Sequence, residues 1–120
     1  MKNAIPDALD HELIREPLQY VSEYSFRLDR LSKRITIRVY LQPDGQFYFE
    51  QSHYIQTPRQ ATPYMTSIQW AETEEIAISR AVSTLVGFYQ GALHQGLEPN
   101  DEWLVPNTTF FDPNADDKIR

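Results

Sequence analysis

Three histidines carry the only side chains in this 120-residue sequence whose ordinary pKa lies near neutrality, and none keeps the company that catalysis or metal binding requires. His11 stands between Asp10 and Glu12, His53 between Ser52 and Tyr54, and His94 late in a helical pattern, none with a second histidine four residues on. A zinc site would need carboxylates such as Asp10 or Glu12 gathered by the fold around His11. Cysteine is absent, which excludes disulfides, thiolate metal sites and a cysteine nucleophile, and fits a reducing cytoplasm. Glu74, Glu75, Asp101 and Glu102 suit helix dipoles and solvation better than paired acid–base work. The glycines at 45, 87, 91 and 96 form no phosphate-cradling loop. The chemistry-bearing residues therefore name no catalytic, metal or cofactor site, and the chain reads as non-enzymatic. An enzyme reading would need polar groups converging in a cavity lined by Tyr48, His53 and Trp70.

Charge is unevenly spread. Residues 27–38 carry Arg27, Arg30, Lys33, Arg34 and Arg38 against Asp29 alone, within a chain of net charge −6. An acidic whole with one basic segment is poorly built for nonspecific binding to phosphate backbones. That segment, interleaved with Tyr24, Phe26 and Tyr40, keeps nucleic-acid binding as the alternative to docking an acidic protein surface.

The elements that must position these residues show in the hydropathy pattern. Ile35, Ile37, Val39 and Leu41 alternate with Thr36, Arg38 and Tyr40, and the return run from Phe47 to Ile55 alternates as well. Side chains alternate across a strand with period two, so the two runs predict a β-hairpin with one oily face. Pro43 and Gly45 supply its tight turn. Phe47, Phe49 and Ile55, with His53, take the inward face; Tyr48, Glu50, Ser52 and Tyr54 take the other, beside Arg38 and Tyr40. The outward face must stay at least half wet to carry Arg38, and its tyrosines suit an interface. A first strand is expected from Tyr24, and another over Tyr64–Trp70 after a loop containing Pro58 and Pro63. The opening segment predicts a short N-terminal helix over Asp7–Leu13, capped by Asp7 or Asp10 and interrupted by Pro17.

Thr73 caps a long amphipathic helix with Glu74 and Glu75 in its first turn, and Gly96 with Pro99 ends it. Ile78, Ala81, Val82, Leu85, Tyr89 and Ala92 form its apolar stripe. Ser79, Ser83, Gly87 and Gly91 recur every four residues, although a glycine inside a helix costs about 1 kcal/mol relative to alanine. Two readings stand: close packing of this stripe on the sheet or C-terminal segment, or a groove for another chain's helix in a symmetric dimer. Trp103, Leu104, Val105, Phe110 and Phe111 should pack within the domain, and if exposed would form a docking patch.

Three antiparallel strands followed by a helix opening Thr73-Glu74-Glu75-Ile76-Ala77 resemble the β-β-β-α unit of HicB-like antitoxin domains over roughly residues 34–97, about half the chain. In place of the glycine common before that family's helix stands Trp70-Ala71-Glu72, and no appended helix-turn-helix is present. The resemblance implies a small binding domain that masks a partner, and transfers no catalytic residue.

The resulting expectation is one α+β domain over residues 1–111: an antiparallel sheet of three to four strands packed against one long C-terminal α-helix, with a short N-terminal helix. Residues 112–120 read as an acidic flexible tail. With no stretch near 18 apolar residues, the chain reads as a cytoplasmic interaction or regulatory protein without cofactors. Its partner would be another protein or a second copy of itself. Two surfaces are candidates: Arg38, Tyr40, Tyr48 and Tyr54 on the sheet, and Ser83, Gly87 and Gly91 on the helix. Arg27, Arg30, Lys33 and Arg34 make a candidate basic patch.

Overall fold

The structure, a computed structural model, describes residues 6–66 and 68–110. A four-stranded antiparallel sheet runs in the order β1 (Gln19–Arg27), β2 (Arg34–Leu41), β3 (Phe47–Gln51) and β5 (Trp70–Ala71). A second, two-stranded sheet pairs β4 (His53–Ile55) with β6 (Leu104–Pro106). One long helix, α1 (Glu74–His94), crosses the first sheet, so the fold is α+β.

The central hairpin forms as its alternation predicts. Val39 faces Phe49 and Leu41 faces Phe47 across β2–β3. Gln42 and Gln46 close the turn, with Gly45 at φ 90° and Asp44 Oδ1 accepting from the Gln46 amide at 2.9 Å. α1 is capped as expected: Thr73 Oγ1 accepts from the Ile76 amide at 3.1 Å. It ends in a Schellman motif, with Gly96 at φ 79° donating to the Leu93 carbonyl and Leu97 to that of Ala92.

The two halves of α1 pack on different things. Ala77 and Ala81 press onto Ile37, Val39 and Phe49 of the main sheet. Leu85, Tyr89 and Ala92 join Leu28, Leu31, Ile35, Ile55, Trp103 and Leu104. Small residues in the first half let the helix lie close to the sheet, while larger ones in the second fill the space where the two sheets part. Trp103 and Leu104 are therefore buried within the domain, as expected, and Val105 is half-buried. Among the described residues no helix is long and apolar enough to cross a membrane.

Four expectations need correction. β1 begins at Gln19 rather than Tyr24, because a bulge at Val21 shifts the register between Tyr20 and Ser22 and hides the alternation upstream. The return strand is not continuous. At Ser52 the chain leaves the first sheet, its hydroxyl accepting the Thr36 amide at 2.8 Å while its carbonyl turns to the Asn107 amide. The expected strand over Tyr64–Trp70 shrinks to the two residues of β5 and one bridge from Tyr64 to Ile55. The N-terminal helix is a 3-10 turn over Asp7–Leu9 with no side-chain cap. None of its residues is buried, so no packing offsets the cost of nucleating a longer helix. The expected tail, residues 112–120, and Phe111 lie outside the described residues.

Candidate functional site

The sheet face opposite α1 is organised in rows by strand register. Tyr20 faces Tyr40, Tyr40 faces Tyr48, and Tyr48 faces Trp70, so four aromatic side chains from four strands fall in one cross-strand line. The Tyr40 ring lies 6.3 Å from both Tyr20 and Tyr48, edge-on to the first and tilted to the second. Neighbouring strands lie about 5 Å apart, so the line spans about 15 Å. Tyr20 and Trp70, at its two ends, are about half exposed, and the two central rings are half-buried. Burial first, and then the nearby Glu50 carboxylate, raise the Tyr48 and Tyr54 phenols above their ordinary pKa. These rings stay neutral and present hydroxyls for hydrogen bonding.

One row along, Glu23 faces Arg38 and Arg38 faces Glu50. Arg38 Nε donates to Glu23 Oε1 at 2.9 Å, and the Phe110 ring covers the guanidinium at 4.4 Å. Arg38 is therefore only 8% exposed, which corrects the expectation of a wet arginine offered to a partner. It fixes the positions of its neighbours instead. The cause is the segment after β6: Asn107 Nδ2 donates to the Gln51 carbonyl at 2.9 Å, and the chain then turns Phe110 over Arg38. The aromatic row lies beside this covered strip.

The basic segment does not gather into one patch. Arg30 sits 3.6 Å from Asp29, Lys33 Nζ reaches the Leu104 carbonyl, and Arg38 is buried. Arg27 and Arg34 alone lie side by side, directly opposite each other at the end of β1–β2. Arg34 is also tied to β1, donating through Nε to Ser25 Oγ at 2.8 Å and through Nη2 to the Ser25 carbonyl at 3.1 Å.

The small-residue stripe of α1 faces away from the sheet. Ser79, Ser83 and Gly87 are exposed, and a Cβ on Gly87 would meet nothing within 4 Å. Close packing on the sheet is therefore not its role. With Thr57, Arg59, Gln60, Thr84 and Phe88, the residues Ser83, Gly87 and Gly91 line an open cleft of about 470 Å³.

Of the histidines, His53 alone is half-buried. Its Nδ1 lies 2.8 Å from Ser52 Oγ, and burial, with Lys33 nearby, lowers its pKa below 6.5. That is a structural imidazole with a hydroxyl partner, as its place on the hairpin suggested. His11 accepts from the Leu13 amide, and His94 lies exposed at the end of α1. Among the described residues no three His, Cys, Asp or Glu side chains assemble a metal site.

Sequence reasoning missed Tyr20 and Trp70 as members of the row. Tyr20 lies before the bulge, and Trp70 enters the sheet through a strand too short to show a period. No protein-family model, curated protein or solved structure matches this chain.

Proposed function

We propose that this protein is a small cytoplasmic interaction module without catalytic activity, acting through protein–protein contacts on the open face of its four-stranded sheet. The line of Tyr20, Tyr40, Tyr48 and Trp70 carries this reading. Tyrosine and tryptophan combine a large apolar surface with a polar tip and few rotatable bonds, which is why they anchor interfaces. Ring contacts between Tyr20, Tyr40 and Tyr48 restrain the centre of the row, which limits the side-chain entropy lost there on binding. Beside the row run Glu23 and Glu50 on either side of Arg38, which ion-pairs Glu23, so this edge of the face keeps a net carboxylate charge. That edge favours a partner presenting basic or neutral groups over a phosphate backbone. The HicB-like resemblance of the sequence would imply the same mode of action, a domain that masks another protein.

The test compares the wild-type chain with Tyr20→Ser/Trp70→Ser, which alters the two exposed ends of the row. Both are immobilised and offered the same native extract. Partners retained by the wild-type protein and lost by the double variant support the reading. An identical bound set from both would overturn it. Steeply salt-dependent binding of a labelled single-stranded oligonucleotide, lost in Arg27→Ala/Arg34→Ala, would favour the nucleic-acid alternative.

A further inference from the structure

The outer edge of β1 is a nine-residue template, and among the described residues no strand pairs with it. Its hydrogen-bonding groups can be assigned from the interior. Thr36, opposite Ser25, spends both backbone groups on Ser52: its carbonyl accepts the Ser52 amide at 2.9 Å and its amide donates to Ser52 Oγ. Facing residues in an antiparallel ladder either exchange both bonds or turn both groups away from each other. Ser25 therefore directs its amide and carbonyl outward, and so, two residues to either side, do Glu23 and Arg27.

We propose that two copies of this chain pair through β1 in antiparallel fashion about a two-fold axis at Ser25, joining two four-stranded sheets into one. Three observations select this occupant and register. A two-fold axis at Ser25 brings outward-facing residues opposite outward-facing residues, so Ser25 meets the partner's Ser25 and exchanges both backbone bonds with it. The same register places Glu23 opposite the partner's Arg27, twice by symmetry. Shifting the axis to Glu23 would instead oppose two carboxylates, and shifting it to Tyr24 would set Glu23 against serine. Lastly, Arg27 lies directly opposite Arg34 within each chain, a repulsive pairing that a carboxylate on its other side offsets.

The helix-side face agrees. α1 lies over β2, β3 and β5 and leaves Tyr24 of β1 about half exposed beside a cleft of about 490 Å³ walled by Glu74, Ile78 and Val82. The proposed register sets Tyr24 against the partner's Phe26 at the mouth of that cleft, an aromatic cross-strand pair. In the isolated chain Arg34 covers the outward carbonyl of Ser25. Pairing replaces that bond with one from a strand and frees the guanidinium toward the new Glu23–Arg27 row.

Sedimentation equilibrium over about a hundredfold range of concentration reads the association directly. The wild-type chain should approach twice its 14.1 kDa mass. Ser25→Pro removes an outward amide together with the hydroxyl that Arg34 Nε holds, and Arg27→Glu opposes two carboxylates. Both should remain at monomer mass while melting cooperatively. The chain has no cysteine, so Ser25→Cys introduces a lone thiol at the axis, where the facing Cα atoms of a hydrogen-bonded pair lie about 5.5 Å apart, within disulfide reach. It should cross-link under mild oxidation, and Ser83→Cys on the helix stripe should not. A wild-type chain that stays monomeric throughout would overturn the proposal. So would a dimer that survives Arg27→Glu, or one that cross-links through Ser83→Cys and not Ser25→Cys. Should Ser25→Pro fail to fold, the Arg27→Glu and cross-linking results decide.

Discussion

Tyr89, near the end of α1, donates its hydroxyl to Asp29 Oδ2 at 2.7 Å across 60 residues of sequence. Asp29 holds a left-handed backbone, φ 51°, in the connection between β1 and β2, so this bond fastens the bend of the sheet to the helix. Burial raises the Tyr89 phenol, and the Asp29 carboxylate raises it further, so the donor keeps its proton.

The bond has a pH signature. Donation from Tyr89, with Arg30 adding a smaller effect, holds the Asp29 pKa below its ordinary 3.8. A carboxylate lowered by folding contributes stability above its ordinary value and loses it as pH falls through the folded value. Tyr89→Phe should lower the melting temperature at neutral pH. The gap from wild type should close as pH drops below 3.8. A gap that stays constant through that range would show that the ring's packing matters and the hydroxyl does not.

His53 has the opposite charge type and gives a different window. Burial, with the Lys33 charge, places its folded pKa below the ordinary 6.5. The unfolded chain therefore binds the proton more readily, so stability is full above 6.5 and falls as pH drops toward the folded value. His53→Gln, which keeps a polar group near Ser52 Oγ, should flatten the loss of stability between about pH 7 and about pH 5. Urea titrations at several pH values measure that slope, and equal slopes for the two proteins would remove His53 as its source.

The core gives a larger effect. Leu85 is 1% exposed at the join between the two sheets and α1. Leu85→Ala leaves a cavity where three elements meet and should cost about 2–5 kcal/mol in urea unfolding. Thr73→Ala removes the helix cap alone and should cost about 1 kcal/mol. If the two variants cost the same, Leu85 is not packed as described.

The parts of this fold that local chemistry specifies were legible in the residues. Ile35 to Leu41 alternate with period two, Pro43 and Gly45 punctuate the turn, and Thr73 with Gly96 bracket the helix. What escaped depends on partners distant in sequence. Ser52 ends one strand because its hydroxyl takes the amide of Thr36 and its carbonyl meets Asn107, and neither preference shows in a local window. Arg38 reads as a solvated charge within its own segment, whereas Phe110, 72 positions later, lies over its guanidinium. The candidate site was legible in its centre, Tyr40 and Tyr48, and hidden at its ends. The Val21 bulge masks Tyr20, and the two-residue β5 masks Trp70.

Gly87 separates a helix that must stay narrow from one that merely is. Its neighbourhood is open, whereas a Cβ on Gly91 would lie 3.2 Å from the Arg59 guanidinium, the movable end of a long side chain. In an exposed helix interior, glycine loses more backbone entropy on folding than alanine does, and nothing here opposes the exchange. Gly87→Ala should therefore stabilise the isolated chain by about 1 kcal/mol. Gly91→Ala should stabilise it less, because Arg59 must give way. Denaturant midpoints check the order. Destabilisation by Gly87→Ala would mean that another surface packs against this stripe, and the cleft beside Arg59 would then be part of an interface.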